Sequence, residues 1–323
     1  MNSLQLLLAL PARPEHILAS ANQTAPSLIK LLRRGRPVAH QPGLNSAVCQ
    51  ACGIKQQQDW PLAAICAAAD GLPNTADGYW LRLDPVHLEV VMGGLLLRPP
   101  ISLQLCADEA RRLIADINLH WQRDGLSIQS VEPTRWYLHL PDAEQPGPNL
   151  RTTPLDQMSG EYLTPNLPRG ADARLFMQRI NEVQMLLHTH PVNQTRESEA
   201  RPAINGLWLW GGGTLAASQA KLDLIAADTF ECRAVALHAG IHCEAQPKKL
   251  AELSPRERVL VVLTQPDNDW DGDLAARLAQ LEHDWFKPLL KRLNQGSIAE
   301  FRLDMVGHQA VTLTPLQSWR FWR

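Results

Sequence analysis

The sequence predicts an α/β fold, a sheet sandwiched by helices, with a small inserted α+β module. Three observations predict it. Apolar runs at Leu4–Leu10, Gly206–Trp210 and Val259–Leu263 alternate along the chain with segments of helical apolar spacing, the pattern of layered α/β sheets. The 323 residues are 45% apolar, enough for about two domains or for one large domain with an insertion. The texture changes near Gly78, where several strand-like segments surround a single long helix.

Leu4–Leu10 reads as a buried first strand, closed by Pro11. Pro26–Arg34 reads as a helix with Leu28, Leu31 and Leu32 on one face and Gly35 as its stop. Trp60–Ala69 is Ala-rich and helical. In the insert, Tyr79–Leu83 and Ile101–Leu105 are strand-like, Asp108 caps a helix reaching Trp121, and Ser127–Val131 pairs with Arg135–Leu140. Residues 141–170 are rich in Pro, Gly and polar groups. Phe176, Ile180, Val183 and Leu187 then mark a long amphipathic helix ending near Pro191. After the strand Val259–Leu263, Asp273 caps a helix carrying Leu274, Leu278, Leu281, Trp285 and Leu289. The expected division is a core of residues 1–76 and 171–323, an inserted module of 77–150, and a linker of 151–170.

Charge and cysteine usage narrow the function classes. Lys+Arg is 31 against Asp+Glu 33, a net charge of -2, which argues against a nucleic-acid binder. The N-terminal apolar run lacks a basic lead and is too short to span a membrane, so no membrane partner and a cytoplasmic location are expected. Six cysteines are too few for a disulfide scaffold. Cys49 and Cys52 form a single C-x-x-C without the second pair that a zinc site needs, so small buried thiols are expected. No G-x-S-x-G or H-E-x-x-H occurs.

Three segments could carry chemistry. His188 to Arg196 is dense in groups that bind anions; its plainer reading is a helix end whose His and Arg cap carbonyls. Asn205 to Gly213 reads N-G-L-W-L-W-G-G-G; it admits a close approach by a ligand or, equally, a tight turn. Asp267 to Asp273 begins like a calcium loop but has Leu278 where the twelfth-position Glu belongs; its plainer reading is an acidic turn capping a helix.

The order of these pieces resembles the archaeal-type cofactor-independent phosphoglycerate mutases of the alkaline phosphatase superfamily. The resemblance rests on Asn181-Glu182, His190-Pro191-Val192-Asn193 with Arg196, Pro202 to Asn205, and the Trp208-Leu209-Trp210-Gly211 strand. Val259–Leu263 followed by Asp271-Gly272-Asp273, and the helix opened by Asp108-Glu109-Ala110, add to it. It implies an alkaline-phosphatase-like sheet, a Ser or Thr nucleophile and two divalent cations held by Asp and His.

Four positions depart from that pattern. No carboxylate follows the first strand before Glu15, and Leu44 stands in the nucleophile's Pro42-Gly43 context. Pro266 and Trp270 fall where ligands belong, and Asp304 and His308 are four apart where a D-H pair is expected. The departures imply a catalytically degenerate binding or regulatory protein, in keeping with a bacterial branch described both as mutase-like and as regulatory.

Its anion or phosphometabolite pocket would comprise His190, Asn193, Arg196, Asn205 and Gly211, with Arg82 and His87 from the insert. On this reading no cofactor is needed, and the partner is a phosphorylated small molecule or a protein. One alternative is an active mutase or phosphatase with Ser46 as nucleophile and Asp267, Asp269, Asp271 and Asp273 holding Mn or Mg. Another is a protein-interaction module using a Trp-bearing surface. The 10 Trp suggest a repacked site, with Trp136, Trp208, Trp210, Trp270, Trp319 and Trp322 filling the volume that cations once held.

Overall fold

The computed structural model describes all residues except 11, 13, 142–146, 159–160, 265–272 and 319–323. The described strands are β1 (Ser3–Ala9), β2 (Arg36–Val38), β3 (Tyr79–Val91), β4 (Gly94–Arg98), β5 (Ile128–Glu132), β6 (Arg135–Leu140), β7 (Gly206–Gly213), β8 (Leu224–Ala226), β9 (His242–Glu244), β10 (Arg258–Thr264), β11 (Glu300–Met305) and β12 (Gln309–Leu313). The helices are α1 (Pro14–Thr24), α2 (Pro26–Arg34), α3 (Leu44–Ala51), α4 (Leu62–Ala69), α5 (Ala107–Trp121), α6 (Ala173–His188), α7 (Pro191–Ser198), α8 (Phe230–His238), α9 (Leu274–Leu281), α10 (Lys287–Asn294) and α11 (Pro315–Ser318). They form two compact units, residues 1–53 with 218–323, and residues 54–217.

The first unit is built on a seven-stranded sheet of order β2-β12-β11-β1-β10-β8-β9. β1 lies parallel to β10 and β11, β8 is parallel to β10 and β9, and β12 and β2 close one edge antiparallel. Strand alternation sends Leu4, Leu6, Leu8, Val259, Val261, Phe301 and Leu303 to one face, where α1, α2, α9 and α10 cover them. The other residues of β1 and β11, among them Gln5, Arg302 and Asp304, turn to the opposite face, under α3. Gly35 ends α2 as expected, but not through an unusual backbone angle: its φ is -69°, and a Cβ there would stand 2.6 Å from Val311 Cβ.

The second unit holds a five-stranded sheet, β4-β3-β6-β5 with β7 on the free edge of β3. One face packs Leu81, Leu83, Trp136, Leu138 and Leu209 against the apolar stripes of α5 and α6. The alternate residues Trp80, Arg82, Asp84, Tyr137 and Trp210 are also buried, and α4 packs on β3 and β7. With both faces covered, every residue of β7 is buried.

This unit is larger than the expected insert of 77–150. α6, α7 and β7 belong with it because β7 pairs with β3, a contact between strands more than a hundred residues apart. The expected linker is tied down as well: Arg151 and Arg169 form a bridge, and Asp59 accepts from the Thr152 N–H. The expected strand Ile101–Leu105 is instead a 3-10 turn over Pro100–Leu103. Pro99 and Pro100 supply no N–H, and Gln104 takes a left-handed φ of 48°.

Candidate functional site

The polar cluster at the end of α6 is brought together, but its polar atoms are turned onto the protein itself. His190 is the N-cap of α7. Its Nδ1 accepts the Val192 N–H at 3.1 Å, so Nε2 carries the proton and donates to Asp116 Oδ2 at 2.9 Å. Asn193 donates to the carbonyls of Leu187 and Ile204 and accepts the Ile204 N–H at 2.7 Å. Arg196 is wholly buried. It donates to the carbonyls of Pro202 and Leu103 and, through Nη1, to Glu109 at 2.9 Å. Burial would raise the Glu109 carboxyl, but the Cys106 N–H and the Arg201 and Arg196 guanidinium groups outweigh it and hold it below its usual value. The segment is a knot joining α5, α6, α7 and the approach to β7.

The other residues expected in the pocket are also held by protein partners. Asn205 extends the ladder beyond β7, accepting the Leu88 N–H at 2.6 Å and donating to the Leu88 carbonyl at 3.0 Å. His87 Nδ1 lies 2.8 Å from the Ala203 carbonyl. Arg82 forks onto Asp84 Oδ1 at 2.7 and 2.9 Å, and its guanidinium lies 5.1 Å from the ring centroids of both Tyr137 and Trp210. Trp210 donates to the second Asp84 oxygen at 2.7 Å.

The glycine run is structural. Gly211 has φ +70°, and Cβ atoms on Gly212 and Gly213 would collide with Tyr79 and Pro61. Beside it, burial pushes the Asp59 carboxyl up, partly offset by the Thr152 hydroxyl and N–H and the Gly212 N–H that it accepts. Each of the residues expected in the anion pocket, His190, Asn193, Arg196, Asn205, Gly211, Arg82 and His87, thus has a hydrogen-bond partner within the protein.

At the nucleophile position, Leu44 is the first residue of α3 and is buried. The weaker candidate, Ser46, is buried too. Its hydroxyl accepts the Gly43 N–H at 3.2 Å and donates to the Gly43 carbonyl at 2.8 Å, so it caps α3 and its proton is committed. Asp273 caps α9 by accepting the Ala276 N–H at 2.9 Å, as expected from its place in sequence. Asp267, Asp269 and Asp271 lie outside the described residues, as do Trp270, Trp319 and Trp322. Of the remaining tryptophans in the repacking idea, Trp136 donates to the Pro133 carbonyl and Trp208 to that of Thr153. Both, with Trp210, are spoken for within the second unit, whereas Leu44 belongs to the first.

A divalent centre needs several hard ligands gathered without a competing positive charge. Among the described residues Asp304 Oδ1 is buried with no hydrogen-bond partner, yet its Oδ2 already accepts from Arg302 at 3.0 Å, a fixed positive charge that disfavours a second cation. Among the described residues no three His, Cys, Asp or Glu side chains gather as a metal site. These residues do not fit a two-cation centre. Cys49 and Cys52 are both buried. Burial, with Cys243 nearby, pushes Cys52 up to about 12 and keeps it protonated.

Sequence reasoning missed Asp59, Asp84, Glu109 and Asp116, the carboxylates that neutralise or orient these groups. Glu109 was visible as part of a helix start, but nothing local ties it to Arg196, 87 residues away. Among the described residues no helix is long and apolar enough to cross a membrane.

No known-family profile matches the chain. It is 28% identical over 152 residues to the 2,3-bisphosphoglycerate-independent phosphoglycerate mutase of Methanosarcina mazei, covering 47% of this chain and 36% of that protein. The corresponding mutase of Methanosarcina acetivorans is 31% identical over 152 residues, with the same coverage. A probable mutase of Geobacter sulfurreducens is 24% identical over 196 residues, covering 58% of this chain and 48% of that protein. The match thus spans less than half the length of these relatives. The PH0037 protein of Pyrococcus horikoshii shares the fold, with a TM-score of 0.50 and 14% identity over 96% of this chain and 86% of that one.

The relatives correct the expectation that no cofactor is needed. Mutases of this class dispense with 2,3-bisphosphoglycerate but require divalent metal ions. Over its matched segments the chain is similar, at low identity, to the 2,3-bisphosphoglycerate-independent phosphoglycerate mutases, and its α/β fold is of the kind the PH0037 protein shows.

Proposed function

We propose that this mutase-like protein acts by binding, in a regulatory role, rather than by mutase turnover. The observation that carries the reading is the start of α3. Leu44 fills the position the resemblance assigns to the nucleophile, and Ser46, the nearest hydroxyl, is committed to Gly43. A covalent phosphoryl intermediate needs a hydroxyl free to lose its proton to a base or a metal. The anion-binding residue types of the α6–α7 knot support the part of the reading that concerns turnover, because their polar atoms bond within the second unit.

The test is a coupled assay for interconversion of 3- and 2-phosphoglycerate with added Mn²⁺ or Co²⁺. The expected result is no turnover above the uncatalysed rate. Metal-dependent turnover would establish the second reading, an active mutase, which the named function of the Methanosarcina and Geobacter relatives favours. In that event Ser46→Ala separates the two nucleophile assignments: loss of activity would assign the step to Ser46, and retained activity would require a different group.

A further inference from the structure

A second candidate site lies within the first unit. Under α3 is a cavity of about 370 Å³, at the small end of the range for ligand sites. Leu7, Ala47 and Ala51 give it an apolar wall, while Gln5, Arg302 and Asp304 give it a polar floor. Its charged lining consists of two carboxylates, Glu300 and Asp304, against one guanidinium, Arg302. Asp304 is 1% exposed, and Arg302 satisfies its Oδ2 but not its Oδ1, which is buried with no hydrogen-bond partner among the described residues. A buried carboxylate oxygen without a donor costs free energy that a ligand N–H can recover. The excess of negative charge selects a cation, and the apolar wall suits a short aliphatic stem behind it.

We propose that this cavity binds a small organic cation with N–H donors, a guanidinium or primary ammonium on a short aliphatic chain, with Asp304 Oδ1 as its acceptor. The ligand donates to Oδ1 while Arg302 keeps Oδ2. Binding therefore depends on N–H groups and not on charge alone. Nothing in it requires the mutase-like reading.

The test uses the full chain and three probes: n-butylguanidinium, tetramethylammonium (charge without N–H) and butyrate. Thermal shift and calorimetric titration at millimolar concentration are the readouts. Saturable stabilisation by n-butylguanidinium alone is expected. Asp304→Asn should weaken it by about ten-fold or more, the scale of one charged hydrogen bond. Ala51→Leu, which narrows the cavity from a partly buried position, should weaken it while leaving the circular dichroism spectrum unchanged. Absence of saturable binding, affinity unchanged in both variants, or equal binding of tetramethylammonium would overturn the proposal. Preferential binding of butyrate would assign the cavity to anions through Arg302. Saturable Mn²⁺ binding lost in Asp304→Asn would make it a metal site. Either result also overturns it.

Discussion

The two units bury polar groups in opposite ways. In the first, the main core face is hydrocarbon from end to end, and the strand residues that could carry charge turn to the face under α3. In the second, a guanidinium and a carboxylate lie inside the sheet layer itself, between Tyr137 and Trp210, and a second guanidinium ties α7 to α5, to the Pro100–Leu103 turn and to the loop before β7. The first unit can tolerate loss of a side chain by partial collapse around the gap. The second cannot tolerate loss of one charged partner, because the other remains buried without compensation.

The largest expected effect is at Asp84. Asp84→Ala leaves Arg82 charged in a buried site and removes the acceptor of the Trp210 indole, so it should cost about 3–5 kcal/mol in urea unfolding. A double replacement by Met at Arg82 and Leu at Asp84 removes both charges and should recover most of that loss. If Asp84→Ala costs no more than an ordinary surface change, the contrast between the units fails.

Next is Arg196→Ala, which leaves the Leu103 and Pro202 carbonyls without their buried donor and Glu109 with Arg201 and the Cys106 N–H as its remaining partners; about 3 kcal/mol is expected. Its counterpart in the first unit is Leu6→Ala, at about 2–5 kcal/mol from lost burial and the cavity left behind. The two losses are similar in size but differ in cause. A volume-restoring Leu6→Met should keep most of the stability, whereas Arg196→Met, of similar length and no charge, should not, because the Leu103 and Pro202 carbonyls lose their buried donor and Glu109 is left with Arg201 and the Cys106 N–H.

Acid titration separates the units by sign. Glu109 is held below its usual value in the folded state, so its contribution is complete above the ordinary Glu value of about 4.3 and is lost as pH falls through the lower folded value. Asp304 is raised by burial, with Arg302 and His40 opposing, so its protonation favours folding: stability is gained as pH falls through its folded value toward the ordinary Asp range. Glu109→Gln should flatten the acid loss of stability, and Asp304→Asn should raise stability near neutral pH. Hydrogen exchange monitored by mass spectrometry assigns each effect to its unit. A matching sign at the two positions would contradict the opposed burial.

Local physics made much of the fold legible in the sequence. Leu4–Leu10, Pro26–Arg34, the β5–β6 pair and the Asp273 cap all follow from periodicity and capping within a dozen residues. The extent of the second unit does not, because it rests on β7 pairing with β3 across more than a hundred residues. The site fared differently. Residue types at 188–196 point equally to anion binding and to helix capping, and only the distant Glu109 and Asp116, together with nearby main-chain carbonyls, decide between them. Leu44 was readable, since a missing hydroxyl is a property of one residue in one context. The orphaned Asp304 oxygen was not, since burial and the neighbouring Arg302 arise from the sheet.

The smallest effect tests whether the α6–α7 knot is capping or binding. His190→Ala removes the acceptor of the Val192 N–H and should cost about 1 kcal/mol, the usual size of an N-cap loss, with a minor addition from the half-exposed Asp116. His190→Ser restores a capping oxygen but no imidazole, so it should recover most of that loss. A structural cap makes a further demand: inorganic phosphate should shift the unfolding midpoint of the wild type and of His190→Ser by the same amount. A phosphate shift present in the wild type and absent in His190→Ser would mean that the imidazole faces an anion after all. The second unit would then hold, beside its inward-turned charges, a site that opens outward.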